Sequence, residues 1–175
     1  MKITLIQVSS LDGTTNQGSS EDHHEWVSKE DQETFYKYLN AATLILMGSS
    51  TYLAAKEFMV HKEGVVRYVF TRNPGKYSEE KIPGQLEFTN ENPKDLLNRL
   101  KREGHTEGLL VGGATTNTAF LKEKLVTNII QTIEPILVGQ GLGTVVEKMR
   151  VNLKLESTEK LNEKGTLLLK YSVIY

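Results

Sequence analysis

Cysteine is absent from all 175 residues, and its absence excludes disulfide staples, thiolate zinc sites and cysteine nucleophiles. Excess charge is missing too. The chain carries 21 Lys+Arg against 22 Asp+Glu, a net −1, so it lacks the basic stripe that nucleic acid or a membrane surface would require. No apolar run approaches the ~18 residues of a membrane span. The opening MKITLIQVSS reads as a strand running straight into polar residues, without the small-residue cleavage site of a signal peptide. These absences leave a soluble, cytoplasmic protein that binds a small molecule. Its length favours one domain over 1–175, large enough to bury roughly two-thirds of the surface its unfolded chain exposes.

What is present is an alternation of strand-like and helix-like segments. Runs rich in β-branched and aliphatic residues predict strands over 2–9, 43–48, 65–71, 86–89, 108–112, 127–138, 151–158 and 166–174. Helices are expected over 29–40, 51–59, 93–103 and 115–125. The third helix carries the plainest signals: Asn92 as cap, Pro93 at the first position, a Leu96-Leu97-Leu100 stripe, and Gly104 as stop. Strand–helix alternation through the first two-thirds predicts an α/β fold. It would be three-layer α/β/α, with a central mostly parallel sheet and antiparallel C-terminal edge strands. The edge strand LLLKYSVIY invites pairing with a second copy, so a homodimer is a plausible assembly.

In such sheets ligands bind beyond the carboxyl ends of the strands, where helix N-termini offer free N–H groups. Three strand ends have suitable residues. Gly48-Ser49-Ser50-Thr51 reads either as a helix cap or as a phosphate cradle. Gly112-Gly113-Ala114-Thr115-Thr116 reads as a tight turn or as a close approach to a diphosphate; it lacks the third glycine of the dinucleotide fingerprint. Thr71-Arg72 places a base where an extra phosphate would sit, although lone arginines mostly serve solubility. Gly139-Gln140-Gly141-Leu142-Gly143 reads first as a turn.

Among the carboxylates, Ser28 and Asp31 fit a capping box, yet Asp31 also shares a helix face with Phe35 and Ala42. An acid on that inward stripe can orient a substrate or relay a proton. Asp22-His23-His24-Glu25 looks like metal ligands, but adjacent side chains rarely reach one ion, and a solvated loop is the better reading. No metal site is expected. The polar segment Asp12–Glu25 reads as a mobile lid or as disorder. There is no nucleophile elbow, P-loop or paired-His helix.

The order of these signals resembles one family. Ser9-Ser10-Leu11-Asp12-Gly13, Trp26 to Asp31, Met47-Gly48 with Thr51-Tyr52, Val69-Phe70-Thr71-Arg72, Val111-Gly112-Gly113 and Ile133 to Gly141 together resemble the reductase domain of the bifunctional riboflavin-biosynthesis deaminase–reductase, in the dihydrofolate reductase-like superfamily. The resemblance implies that fold and NADPH bound across the strand ends. It places Gly48, Ser50 and Thr51 at the cofactor phosphates, and Thr71 and Arg72 near the adenosine 2′-phosphate. Gly112, Gly113, Ala114, Thr115 and Thr116 would wrap the diphosphate, with Ser10, Gly13 and Trp26 beside the nicotinamide.

The sequence departs from that family where substrate would be read. Val111 replaces an acid before the glycine pair, LAAKEFMVHKEG lacks the expected proline and arginine, and Thr127-Asn128 replaces Asp-Glu. No deaminase domain lies within these residues. The expectation is therefore an NADPH-dependent reductase of a small heterocyclic or carbonyl/imine substrate, with Asp31 as its acid. A dihydrofolate reductase proper and a non-catalytic nucleotide-binding protein are the alternatives.

Overall fold

The structure, a computed structural model, describes residues 1–16 and 26–175. The Asp22–Glu25 cluster, and most of the segment read as a lid, lie outside the described residues.

Eight strands form one sheet: β1 (Lys2–Ser10), β2 (Leu44–Gly48), β3 (Val66–Phe70), β4 (Leu86–Thr89), β5 (Glu107–Leu110), β6 (Asn128–Glu134), β7 (Asn152–Lys160) and β8 (Leu167–Ile174). Their order is β4-β3-β2-β5-β1-β6-β8-β7. All pairings from β4 to β6 are parallel; β8 runs against both β6 and β7. The expected class and the antiparallel C-terminal strands are both observed, but LLLKYSVIY is not the edge it was expected to be: β8 is hydrogen-bonded on both sides, to β6 and β7, and β7 is outermost.

Four α-helices lying wholly within the described residues cover the faces: α1 (Lys29–Ala41), α2 (Ser49–Ala55), α3 (Pro93–Arg102) and α4 (Ala114–Lys122). Strand β2 explains the layering. Leu44 and Leu46 pack with Leu96, Leu97 and Leu100 of α3 and Phe120 and Leu121 of α4. Ile45 and Met47 turn the other way, toward Tyr52 of α2. Farther along that second face, Ile6, Leu109, Ile130 and Leu168 meet Phe35, Tyr38 and Leu39 of α1. A strand buried on both faces reads as a continuous apolar run, as LILMG does.

Several boundaries differ from expectation, among them the end of α4, at Lys122 rather than 125, and the end of β5, at Leu110 rather than 112. Strand β6 stops at Glu134 rather than 138, because Pro135 has no N–H for the ladder; Ile136 N then donates to Glu134 O in a tight turn. Helix α2 starts earlier, at Ser49, and gives way to a 3₁₀ turn over Lys56–Phe58. Strand β7 runs on to Lys160, and all nine of its residues are exposed. No helix among the described residues is long and apolar enough to cross a membrane.

Helix α3 has the cap that its sequence announces: Asn92 Oδ1 accepts from Lys94 N at 2.9 Å. Asn92→Ala removes that acceptor and should lower stability by about 1 kcal/mol, or roughly 2–4 °C in Tm for a chain of this size. An unchanged thermal midpoint would show the cap to be redundant.

Candidate functional site

The strand order lines the candidate segments along one edge. The carboxyl ends of β3, β2, β5, β1 and β6 are neighbours, so Thr71-Arg72, Gly48–Thr51, Gly112–Thr116, Ser10–Gly13 and Glu134 follow one another. From β3 to β1 is three strand spacings, about 14 Å.

The middle of this row is tightly joined. Gly48 N donates to Gly112 O at 2.8 Å, and the Gly112–Gly113 peptide is cis. A Cβ on Gly48 would lie 2.5 Å from Thr116 Oγ1; one on Gly113 would lie 3.2 Å from Thr51 Oγ1. Gly112 has φ +96°, a conformation that favours glycine. Gly48 and Gly113 are the N-caps of α2 and α4, and neither helix start receives a side-chain cap. The N–H groups of Ala114, Thr115 and Thr116 therefore remain available to an anion, while the bare Cα atoms of Gly48 and Gly113 make room for the side chains of Thr116 and Thr51. These residues fit a diphosphate. Ser50, Thr115 and Arg72 are exposed at the rim of the row, with Thr71 partly buried.

A polar network supports the glycine pair from the α4 side. Asn117, 3% exposed, lies under Gly112 and donates to Thr144 O at 3.1 Å and to Gln7 Oε1 at 3.4 Å. Gln7 Nε2 donates to Gln131 Oε1 and Thr144 Oγ1, both at 2.6 Å, and Gln131 Nε2 donates to Ser9 Oγ.

Ser10 and Gly13 belong to a clasp. The buried Ser10 hydroxyl donates to Asp12 Oδ1, and Asp12 also accepts from Val138 N (3.2 Å) and Gly139 N (2.7 Å). Those bonds hold the Asp12 carboxyl below its usual pKa, the Ser10 hydroxyl contributing most. Thr14 donates to Gly139 O, and residues 15 and 16 pair with Leu142. Gly141 is bare for a steric reason: its Cβ would meet Asn16 O at 2.6 Å. The glycine-rich 139–143 stretch is thus a turn locked to the loop after β1.

On the α1 side of the same edge stands a buried acid. Ser28 caps α1, its Oγ accepting from Asp31 N at 3.2 Å, but the box is not closed by Asp31: Ser28 N donates to Glu134 Oε1 instead. Asp31 is only 7% exposed, and burial is the largest cause that pushes its pKa up, to about 6; the hydroxyl of Thr132 opposes the rise and the charge of Glu134 adds to it. Thr132 and Glu134 project from the same face of β6 and are almost completely buried. Neither Asp31 nor Glu134 has an ion-pair partner among the described residues. Beside them opens a cavity of about 260 Å³ lined by Trp26, Val27, Ser28, Glu134, Pro135, Ile136, Lys164 and Thr166. No group of three or more His, Asp or Glu able to hold a metal occurs among the described residues.

Thr132 and Glu134 were not singled out from sequence as site residues. The available signal was that Thr132 and Glu134 stand at alternate positions of NIIQTIE, on one face of the strand. One apparent departure also changes meaning. Thr127 and Asn128 sit at the amino end of β6, where Thr127 Oγ1 serves the backbone of Ile3, so they do not face this edge. Val111, directly after β5, does lie at the edge.

Comparison with known proteins agrees with this architecture. YwjB of Bacillus subtilis (strain 168) is 27% identical over 168 residues, covering 94% of this chain and 90% of that protein. YyaP of the same organism is 26% identical over 148 residues, 77% and 76% of the two chains. RibD from Acinetobacter baumannii superimposes with a TM-score of 0.78 at 21% identity, over 99% of this chain and 58% of that one. A diaminohydroxyphosphoribosylaminopyrimidine deaminase/5-amino-6-(5-phosphoribosylamino)uracil reductase from Thermotoga maritima gives 0.76 at 17%, over 99% and 56%. The model of the family described as RibD C-terminal domain matches residues 1–167, and the chain belongs to that family.

Proposed function

We propose that this protein is an NADPH-dependent reductase of a small heterocyclic or imine- or carbonyl-bearing substrate. The observation that carries the reading is one edge holding two unlike features: a joint of uncapped helix starts and bare glycines, and a buried acid that keeps its proton close to neutrality. Membership of the RibD C-terminal domain family supports it.

Gly48, Ser50 and Thr51 would hold the phosphates, Gly112 to Thr116 the diphosphate, and Thr71 and Arg72 the 2′-phosphate; Ser10, Gly13 and Trp26 would border the nicotinamide. When bound, the cofactor supplies the hydride. The protein's own part is alignment, exclusion of water and proton management. Asp31 accepts N–H groups from a substrate edge when ionised and gives a proton when protonated; a pKa of about 6 keeps both forms populated near neutral pH. A dihydrofolate reductase activity proper is the second reading: its acid would sit on the same first helix, so Asp31 serves either.

The test begins with cofactor. Millimolar NADPH should raise the melting temperature, more than NADH does, and nucleotide fluorescence should change on mixing. Purified protein should then oxidise NADPH with one member of a panel of aminopyrimidines, pteridines, imines and carbonyl compounds. Turnover of dihydrofolate, or tight antifolate binding, selects the second reading. Absence of any thermal or fluorescence response to either nucleotide rejects both.

A further inference from the structure

We infer that Glu134 is a positioning residue for Asp31: its buried carboxylate holds the start of α1 through the Ser28 amide and adds a like charge to the surroundings in which Asp31 meets a substrate. The inference rests on the reading of Asp31 as the acid of the site.

Hydrogen bonds carry the first half. Glu134 Oε1 accepts from Ser28 N at 2.9 Å, and the same Ser28 caps the helix at Asp31 N. Glu134 Oε2 accepts from Thr166 Oγ1 at 2.7 Å. Thr166 N in turn donates to Asn162 Oδ1, and Asn162 Nδ2 reaches Glu30 Oε2 at 3.0 Å. One carboxylate thus ties the end of β6, the first turn of α1 and the β7–β8 turn into one unit, with Asp31 three residues along from the tethered amide. An N-cap needs no such partner; Ser28 alone would start the helix.

Placement of charge carries the second half. A buried carboxylate without a counter-cation is costly, and a neighbouring like charge disfavours ionisation of the other acid. The surroundings of Asp31 offer little else. Strand β1 presents Val8 and Ser10 opposite Thr132 and Glu134. On α1, Lys29 is exposed and pairs with Glu33, and Glu30 turns to Asn162. Asp12 is engaged at the clasp, and Lys164 lines the cavity without an ion pair to Glu134. The charge acting on Asp31 is that of Glu134.

Carboxyl ¹³C NMR titration of protein labelled at Asp and Glu tests this without substrate or cofactor, with Asp31 assigned by the resonance missing from Asp31→Asn. In Glu134→Gln, the Asp31 midpoint should fall but stay above the ordinary aspartate value, because burial remains the larger cause. Thr166→Val loosens the same network but keeps both carboxylates, and should leave the midpoint raised. In the unaltered protein, the Glu134 resonance should show a step at the Asp31 midpoint. An unmoved midpoint in Glu134→Gln, an equal fall in Thr166→Val, or no step at Glu134 would each overturn the inference, the last even if Glu134→Gln fails to fold. Nucleotide binding is scored separately, so the reductase reading and this coupling can fail independently.

Discussion

Asp31→Asn should make the protein more stable above pH 7 while removing most of its catalysis. The stability half follows from linkage. Asp31 has a pKa near 3.8 when free and about 6 in the folded protein, chiefly through burial. Between those values the folded state holds a proton that the unfolded chain has released, so stability falls as pH rises through the window. Below pH 4 the side chain is neutral in both states and carries no penalty; above about 7 the penalty is complete. A rise of roughly two units corresponds to about 3 kcal/mol, or nearer 2 where solvent partly relieves burial. Asparagine keeps the shape and an acceptor for Thr132, but never ionises. Its melting temperature should therefore match the native protein near pH 3 and exceed it by roughly 4–12 °C at pH 8. The catalytic half is a fall of about 10²–10⁴ in kcat with a substrate found by the panel, as expected for loss of a general acid. A residue kept at a cost to stability has a reason outside folding. If the two melting curves differ equally at both pH values, Asp31 is an ordinary helix-cap residue.

The parts of this molecule legible in its sequence are those settled within one element. The Asn92-Pro93 start of α3, the buried run of β2 and the strand-to-glycine ends at Gly48 and Gly112 depend on neighbours a few residues away. The sheet could be assembled from them because parallel strands joined by helices leave few topologies. The apolar run past Pro135 reads as strand by its side chains alone, but the proline offers no N–H to the ladder and β6 ends at Glu134. The site was legible only in part, for a similar reason. Asp31 showed its inward phase, but its partners are settled by tertiary pairing: Ser28 meets Glu134 across 106 residues, and Gln7 meets Gln131 across 124. A strand period says which face a side chain takes, not which helix crosses that face. Glu134 looked like one residue of a motif, and Asp12 like the mouth of a lid; coordinates show the first buried behind α1 and the second clasping Gly139.

Gly48→Ala should weaken both the fold and the cofactor site, and the two losses can be separated. The new Cβ would stand 2.5 Å from Thr116 Oγ1, closer than side chains approach, and 3.7 Å from Gly113 N. Either Thr116 turns or the end of β2 and the start of α4 part, at about 1–3 kcal/mol for an overpacked joint. Thr116→Ala removes the obstructing oxygen, and the next nearest Thr116 atom, its Cβ, lies at an ordinary 3.7 Å. A double-mutant cycle should therefore be non-additive: the pair should melt close to Thr116→Ala alone, with most of the Gly48→Ala loss recovered. Affinity for NADPH should follow a different course. If the bare Cα of Gly48 also admits the phosphates to the uncapped amides, the methyl stays in their way whether or not Thr116 carries a hydroxyl. Binding should then remain at least about tenfold weaker in the double variant, a difference of about 1.4 kcal/mol. Recovery of stability and affinity together would make this glycine a packing device and move the phosphates elsewhere along the edge. Native affinity in Gly48→Ala itself, beside a lowered melting temperature, would take the strand-end joint out of the cofactor site altogether.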